Sequence, residues 1–436
     1  MSISCLRMGV ARADITPPVG VRSQGFAGRG PLARHHDPLR ATALVVADAH
    51  RRAALVTCDL IGVPASVVAG IRADVSRRTG IDPLWVTICA THTHYGPAVT
   101  PHEGEADLSI YLQNVIRTVG GIIEEAAAAV APVLIGVGWG ASDIGVNRRE
   151  KTADGRIILG RNPGGFIDRA VGVLRIDRLD GSPLACFAGF QAHPVSQGAR
   201  MDHVSADYPG QMRTTVEGLT GACCGFLQGA CGNINAAIME HDHESARTLG
   251  VRLGCEVTRV WETIKPEPAT GLAVETLRVS LPGLRYGSPA QAAELCRDLE
   301  AQAAQLKRDN VTDGRVFWAQ HRLEKVRAAL HCWDTGDPME TIETELQAWR
   351  LGPLGLATGP GEIFSQIGAE VKSRSPFSDT FFLAHANDSI GYVPIPAAYA
   401  EGGYEVTHAC RVDPGAAGII TEGCVQLLNR CFSHSE

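Results

Sequence analysis

The feature of this chain that most restricts its fold is an alternation of short apolar runs with longer helical patterns. Runs typical of buried strands lie at residues 41–48, 53–60, 84–90, 134–140, 171–176, 184–191 and 225–228. Helical patterns separate or follow these runs at residues 64–79, 108–129, 208–219 and 244–264. Pro64 suits the first turn of its helix, and Gly80 suits the residue that ends it. This alternation predicts an α/β fold with a layered sheet core flanked by helices.

The middle of the chain departs from this alternation. Residues 291–308 and 316–330 are charged, Ala-rich and helical in pattern, whereas residues 339–349 read as an exposed strand or connector. Strand and loop patterns return after residue 354. Because no Pro/Ser-rich linker separates two halves, we predict that residues 1–436 form a single domain. The helical excursion of that domain is predicted at about residues 285–350.

Composition excludes several kinds of partner. The chain has 40 Lys and Arg against 47 Asp and Glu, a net charge of −7, so no nucleic-acid or anionic-membrane partner is expected. Arg7 and Arg12 interrupt the N-terminus, which predicts no secretory signal, and the most apolar stretch, residues 126–140, is shorter than a membrane span. The 13 cysteines include no CxxC pair, which favours reduced thiols. We expect a cytoplasmic protein without an integral membrane segment that acts on a small molecule.

Two histidines, His92 and His94, directly follow the predicted strand at residues 84–90. Residues two apart on an extended chain point to the same side, so the two imidazoles lie next to each other. Strand ends are also where ligands gather in α/β sheets. Either both imidazoles share one metal site, or one of them binds metal while the other moves protons.

Further polar residues follow other strand patterns. His193 lies at the end of the run at residues 184–191, so it could converge with His92. Glu362 ends a Gly-Pro-Gly-Glu turn, and one carboxylate beside two imidazoles suits Zn²⁺. Arg148 suits either an oxyanion contact or a surface ion pair. The tyrosines of the Gly-rich segment at residues 387–405 could be metal ligands, oxyanion donors or packing residues.

Several segments have simpler interpretations. Ser205 and Asp207 suit the capping of the helix that follows them. The His-Asp-His-Glu run at residues 241–244 could bind metal but is more typical of a capped helix start. The Gly-rich run at residues 228–235 suits anion or oxyanion contacts and matches no nucleotide-binding motif. Within it, Cys231 is a weak candidate nucleophile because no neighbour in the sequence activates it.

Taken in order, these segments resemble the catalytic domain of the neutral/alkaline (non-lysosomal) ceramidases. The matching pieces are Ala-Asp-Ile-Thr-Pro-Pro at 13–18, Thr-His-Thr-His-Tyr-Gly-Pro at 91–97, Asn147-Arg148, the His193 segment, Ser-Ala-Asp at 205–207, residues 228–235, Pro-Gly-Glu at 360–362, Gly391-Tyr392 and Tyr404. They extend from near the N-terminus to about residue 410, almost the whole chain. The resemblance implies a ceramidase-like zinc amidohydrolase whose catalytic domain has a mixed α/β fold.

The resemblance also implies roles for individual residues. It implies four ligands for one Zn²⁺ per chain: His92, His193, Glu362 and Tyr392. His94 would be the catalytic imidazole that passes a proton to the leaving nitrogen. Arg148 and Tyr404 would contact the substrate carbonyl or the tetrahedral intermediate. Zinc would lower the pKa of a bound water and so supply the nucleophile.

Three features depart from the sphingolipid-cleaving members of that family. Asn235 stands where those members have a serine, which keeps a hydrogen-bond donor but loses the hydroxyl. Because the sequence ends at Glu436, we expect no counterpart of their immunoglobulin-like C-terminal domain, and we expect no secretory signal or membrane-binding apolar tract. We therefore expect Asn235 to contact the substrate or its oxyanion. We also expect the chemistry of the family to apply to a small substrate rather than to a long-chain lipid.

The leading hypothesis is a soluble zinc-dependent amidohydrolase that cleaves an amide or related acyl bond of a small substrate through a zinc-activated water. A true ceramidase, an esterase or a lactonase on the same scaffold is the alternative, because such a water attacks amides and esters alike. A non-catalytic metal-binding homologue is the alternative from another class. The retention of His94, Arg148 and Tyr404 argues against that last alternative.

Overall fold

The structure is a computed structural model that describes residues 5–311 and 314–433. The strands are β1 (Arg7–Asp14), β2 (Arg34–His35), β3 (Arg40–Ala47), β4 (Arg52–Cys58), β5 (Val86–Ala90), β6 (Ala131–Ala141), β7 (Gly145–Lys151), β8 (Ile157–Asn162), β9 (Ala170–Arg178), β10 (Pro183–Phe190), β11 (His203–Val204), β12 (Cys223–Gln228), β13 (Ile234–Ala236), β14 (Leu272–Pro282), β15 (Thr341–Leu351), β16 (Leu354–Thr358), β17 (Glu362–Ile363), β18 (Asp379–Leu383) and β19 (Tyr392–Val393). The helices are α1 (Ala65–Thr79), α2 (Ala106–Ala128), α3 (Asp207–Thr220), α4 (His243–Thr263), α5 (Pro289–Arg308), α6 (Gly314–Thr335), α7 (Ser365–Ser373), α8 (Pro396–Glu401), α9 (Tyr404–Thr407) and α10 (Ala416–Ser433).

Two mixed sheets contain most of the strands. The larger sheet has eight strands in the order β12-β10-β9-β6-β1-β3-β4-β5, with β10–β12 and β4–β5 parallel and the other neighbours antiparallel. The smaller has four strands in the order β14-β15-β16-β18, of which β16 and β18 are parallel. Short sheets β13-β7-β8, β11-β2 and β17-β19 lie around the loops at the strand ends.

The sheets and helices form layers because both faces of the central strands are apolar. In β3, Ala43 and Val45 belong to the core shared with α1 and α2, whereas Leu44 and Val46 belong to the core shared with the four-stranded sheet. Helices α3 and α4 pack on the part of the large sheet made by β9, β10 and β12. Helices α7 and α10 cover the other face of the four-stranded sheet. The predicted layered α/β core flanked by helices is therefore confirmed.

Several predicted boundaries are confirmed as well. Helix α1 begins after Pro64 and ends at Gly80, whose φ of 70° and backbone N–H to Ser76 O are typical of a left-handed helix cap. The helical patterns of the excursion correspond to α5 and α6. Among the described residues, no helix is both long and apolar enough to cross a bilayer.

The predicted exposed strand at residues 339–349 is wrong in its exposure. It is β15, an inner strand of the four-stranded sheet with most of its side chains buried, so the helical part of the excursion ends at Thr335. Its polar residues are buried because they have partners: Glu345 forms a bidentate ion pair with Arg72 of α1 at 2.6 and 3.0 Å. Whether the chain forms a single domain stays a prediction.

Candidate metal centre and active site

The candidate site lies where loops that follow distant strands meet. His92 and His94 follow β5, and His193 follows β10. The edge strand β12 lies close to β4 near the other edge of the large sheet, since Thr57 Oγ1 donates a 2.6 Å hydrogen bond to Phe226 O. This approach of the two ends of the sheet brings His193 to His92 and His94, although His193 lies about a hundred residues further along the chain.

The backbone fixes the orientation of two of these imidazoles. His92, with φ of 69°, places Nδ1 2.6 Å from Ile61 O. His193 places Nδ1 2.9 Å from Cys231 O and 3.0 Å from Ile234 O. Because a carbonyl oxygen only accepts, both Nδ1 atoms carry the proton and both Nε2 atoms present a lone pair. This is the usual arrangement of metal-binding histidines.

The Nε2 atoms converge with a carboxylate. Glu362 Oε2 lies 3.0 Å from His193 Nε2 and 3.5 Å from His92 Nε2, and Tyr392 Oη lies 3.4 Å from His193 Nε2. Nitrogen and oxygen ligands around a four-coordinate zinc ion lie about 3.3 Å from one another. Acceptors that face one point are stabilised by a cation, so these residues fit Zn²⁺ or a similar ion. The short parallel pairing of β17 with β19 places Glu362 beside Tyr392.

His94 lies next to this group and differs from the other two histidines. Its Nε2 is 3.2 Å from His92 Nε2, and ligand atoms of His92, His94 and His193 lie within 4.8 Å of one another. Its Nδ1 is buried and has no hydrogen-bond partner among the described residues. No carbonyl therefore fixes its tautomer. Geometry alone permits His94 either as a third imidazole ligand or as a proton carrier.

Arg148 connects the site to a buried carboxylate. Its Nη2 donates to Tyr392 Oη at 2.8 Å, and its Nη1 lies 3.2 Å from both His193 Nε2 and Asn235 Oδ1. Its Nε donates to Glu405 Oε1 at 2.7 Å. Burial opposes the charge on Arg148, but Tyr392 and Glu405 raise its pKa above the ordinary value. Arg148 is therefore a buried cation rather than a surface ion-pair residue.

Tyr404, the first residue of α9, lies further from the centre. Its ring centroid is 5.8 Å from that of Tyr392 and 6.0 Å from the guanidinium carbon of Arg148. Burial raises the pKa of its hydroxyl, and the nearby Glu362 acts in the same direction. The hydroxyl is therefore a neutral hydrogen-bond donor at physiological pH.

Burial controls the charges of the central residues. It lowers the pKa of His193 to about 4, with Arg148 adding to the effect. Burial and the neighbouring imidazoles lower the pKa of His94 well below its ordinary range. Burial alone would raise the pKa of Glu362, but the adjacent His193 and His92 lower it well below the ordinary value. His94 and His193 are thus neutral imidazoles beside a carboxylate, the protonation states that metal binding requires.

The structure brings all eight predicted site residues into this one region: His92, His94, Arg148, His193, Asn235, Glu362, Tyr392 and Tyr404. Other segments have structural roles. Asp242 caps α4 by accepting the Ser245 N–H at 2.9 Å. Cys231 Sγ lies 3.4 Å from His385 Nε2, but burial raises the thiol pKa well above its ordinary value, which disfavours a thiolate nucleophile.

Sequence reasoning assigned no role to two residues at the centre. Glu405 joins Arg148 to Arg149, which it contacts at 2.8 Å. His385, with φ of 53°, stacks on His92 with ring centroids 3.8 Å apart. Glu405 directly follows Tyr404 in the Gly-rich segment, which indicates a place near the site but not its pairing with the two arginines. His385 lies two residues before the Asn-Asp-Ser-Ile-Gly-Tyr run, which gave no comparable signal.

Comparison with known proteins identifies the class of fold. No family model and no curated protein matches the chain. Solved structures do match, and the fold that they share with this chain is that of ceramidases. One is neutral ceramidase from Pseudomonas aeruginosa, with a TM-score of 0.74 and 20% identity over 99% of this chain and 75% of that one. Another is a ceramidase complexed with C2, with a TM-score of 0.72 and 18% identity over 98% of this chain and 75% of that one. The predicted ceramidase-like α/β fold is confirmed.

Proposed function

We propose that this protein is a zinc-dependent hydrolase that cleaves an amide or related acyl bond of a small substrate. The observation that carries the proposal is the meeting of two oriented imidazoles, His92 and His193, with the Glu362 carboxylate at distances of 3.0 and 3.5 Å. The proposed ligands are these three residues and Tyr392, for one zinc ion per chain. Bound zinc would lower the pKa of a water molecule and polarise the acyl carbonyl.

His94 is proposed as the residue that moves the proton. Metal-binding histidines almost always donate their second ring N–H to a fixed partner. His92 and His193 have such a partner, whereas the Nδ1 of His94 has none among the described residues. We therefore assign His94 Nε2, the ring atom 3.2 Å from His92 Nε2, to accept a proton and deliver it to the leaving nitrogen.

Arg148 and Tyr404 are proposed to bind the oxygen that gains negative charge as the carbonyl carbon becomes tetrahedral. Arg148 is a buried cation held by Glu405 at 2.7 Å, so its orientation is set before the substrate arrives. Tyr404 supplies a neutral hydroxyl. Asn235, whose Oδ1 lies 3.2 Å from Arg148 Nη1, is proposed to position Arg148 and to offer its amide N–H to the substrate.

The proposed substrate is a small amide. The solved structures with this fold are ceramidases by name, which supports an N-acyl bond as the target. Asn235, in place of the serine of sphingolipid-cleaving members, favours a different substrate from ceramide. Ceramide itself, or an ester or lactone, is the second candidate. We further propose a cytosolic location, because most of the cysteines are buried thiols.

The test is an assay of amine release from short N-acyl amides beside a fluorogenic ceramide, with zinc measured in each variant. We expect turnover of the short amides by the wild-type protein and loss of both zinc and turnover in His193→Ala. We expect His94→Gln to retain zinc and lose turnover. Loss of zinc in His94→Gln would assign His94 as a ligand instead. Faster turnover of ceramide than of every short amide would reverse the substrate proposal.

The same variant tests the non-catalytic alternative. A protein that only binds metal should show no turnover, and His94→Gln should then leave its ligand range unchanged. Treatment with a chelator or with iodoacetamide distinguishes a metal-dependent enzyme from a thiol-based one. An enzyme that uses Cys231 would stay active after removal of metal and would be inhibited by iodoacetamide. We expect the opposite pattern, because the Cys231 side chain is fully buried.

A further inference from the structure

A row of aromatic rings leads from the proposed metal centre to the protein surface. Tyr392 contacts Tyr404, Tyr404 contacts Trp318 and Trp318 contacts Phe317, with centroid distances of 5.8, 5.7 and 5.1 Å. Phe317 is 56% exposed, so the row ends at a ring that a bound molecule can reach. Its place on α6, next to the site, distinguishes it from isolated surface apolar residues.

Two imidazoles widen this row into a surface. His408 stacks on Tyr404 with centroids 5.5 Å apart and lies 5.7 Å from Trp318. His321 stacks on Phe317 at 5.8 Å, one turn further along α6. We call Phe317, Trp318, His321, Tyr404 and His408 the aromatic wall. Its members are flat rings rather than flexible aliphatic chains, and all except Phe317 carry a polar ring nitrogen or hydroxyl.

The start of α6 also reaches the opposite side of the site. A Cβ atom added to Gly314, the first residue of α6, would lie 2.9 Å from Ala27 Cβ. The start of α6 therefore packs directly on the loop between β1 and β2, which contains Ala27. The neighbouring Phe26 contacts His94 edge-on, with centroids 5.1 Å apart. Arg29 holds the loop in place through its hydrogen bond to His94 O and its position over the Phe26 ring. The first turn of α6 therefore joins the His94 side of the site to the Tyr404 side.

We propose that the aromatic wall is the substrate-binding surface of this enzyme and that it selects amides with a planar aromatic group next to the scissile bond. The inference rests on the proposed hydrolase function and names the class of its substrate. Flat rings gain edge-to-face and stacking contacts with other rings beyond the burial of their area, whereas an alkyl chain gains burial alone. The ring nitrogens and hydroxyl of the wall would also be desolvated by a long alkyl chain without compensation.

The experiment compares substrates of equal size that differ in flatness. Acetanilide and N-cyclohexylacetamide place the ring on the amine side, and N-methylbenzamide and N-methylcyclohexanecarboxamide place it on the acyl side. We expect the wild-type protein to prefer the aromatic member of at least one pair by about tenfold in kcat/KM. Trp318→Leu should abolish this preference, because it lowers kcat/KM for the aromatic substrate more than for the cyclohexyl substrate, and Trp318→Phe should keep most of the preference.

The control variant is Arg327→Ala, which removes an exposed ion pair between α6 and Glu300 of α5. This variant should leave the preference for the aromatic substrate unchanged. Equal kcat/KM for flat and puckered rings in the wild type would overturn the inference while leaving the hydrolase proposal intact. If no amide is turned over, a binding measurement tests the inference instead. Acetanilide should quench the tryptophan fluorescence of the wild type, and N-cyclohexylacetamide should not. Loss of this quenching in Trp318→Phe would support the aromatic wall as the binding surface. Equal binding of both compounds would overturn it.

Discussion

Glu405 offers a quantitative test of how the site is held. The side chain is 1% exposed and its two oxygens accept from Arg148 at 2.7 Å and from Arg149 at 2.8 Å. Glutamine keeps one of these acceptors and turns an N–H donor toward the other guanidinium. Removing one partner of a buried ion pair costs about 3–5 kcal/mol of stability. Because one hydrogen bond survives, we expect Glu405→Gln to lose about 3 kcal/mol, roughly a hundredfold in the folding equilibrium.

The chain supplies a matched control for this variant. Glu401 pairs with the same Arg149, at 3.1 Å, but its side chain is 54% exposed. Exposed ion pairs contribute at most about 1 kcal/mol, so Glu401→Gln should lose no more than that. The assay is urea unfolding followed by circular dichroism, with both variants compared to the wild type. Equal losses for the two variants would refute the reasoning, because burial would then make no difference to the strength of the pair.

Three further predictions concern the reaction, pH and metal. Arg148→Lys should lower kcat/KM for a short amide about a hundredfold without loss of zinc, because a lysine cannot hold Glu405 and the oxyanion at once. Burial raises the pKa of Asp207 to about 6 from 3.8, so folding favours its protonated form. Stability should therefore fall by up to about 3 kcal/mol as pH rises from about 4 to 6, and Asp207→Asn should remove this slope in urea unfolding. Zinc at a hundred times its Kd should stabilise the wild type by about 2.7 kcal/mol in thermal unfolding, and His193→Ala should show no such gain.

Each of these predictions has a contrary result. Unchanged turnover in Arg148→Lys would remove Arg148 from the reaction. A wild-type unfolding curve with the same pH slope as Asp207→Asn would mean that the carboxyl is ionised in the fold, held by Ser196, whose N–H and hydroxyl both donate to it. Equal zinc stabilisation of His193→Ala and the wild type would place the bound metal at a different site.

The sequence predicts the strand-end histidines well because their positions depend on local pattern. His92 and His193 each follow a short apolar run, and the edge of an α/β sheet gathers such residues. The buried carboxylates were harder to predict, because burial of a charge depends on a partner far away in sequence. Glu405 is paired with arginines more than 250 residues earlier, and no local feature of the sequence reveals that contact.

Strand β15 shows the same difficulty at the level of the fold. Residues 339–349 read as an exposed strand or connector, yet Glu345 pairs with Arg72 and Gln347 accepts a hydrogen bond from Thr87 inside the protein. Strand β1 had no predicted counterpart, because Arg7 and Arg12 interrupt its apolar pattern, although it occupies an inner position in the eight-stranded sheet. Local hydrophobicity therefore predicts strands that are apolar along their length, such as β3 and β5. It fails where charged side chains interrupt the pattern, whether they are exposed as in β1 or buried with partners as in β15.

The central claim is that His92, His193, Glu362 and Tyr392 hold a catalytic metal ion. Elemental analysis of the purified, untagged protein, together with hydrolysis of a short N-acyl amide before and after chelation, tests it most directly. We predict about one zinc per chain, loss of activity on its removal and recovery when Zn²⁺ is restored. Full amide hydrolysis by protein without metal would contradict the account.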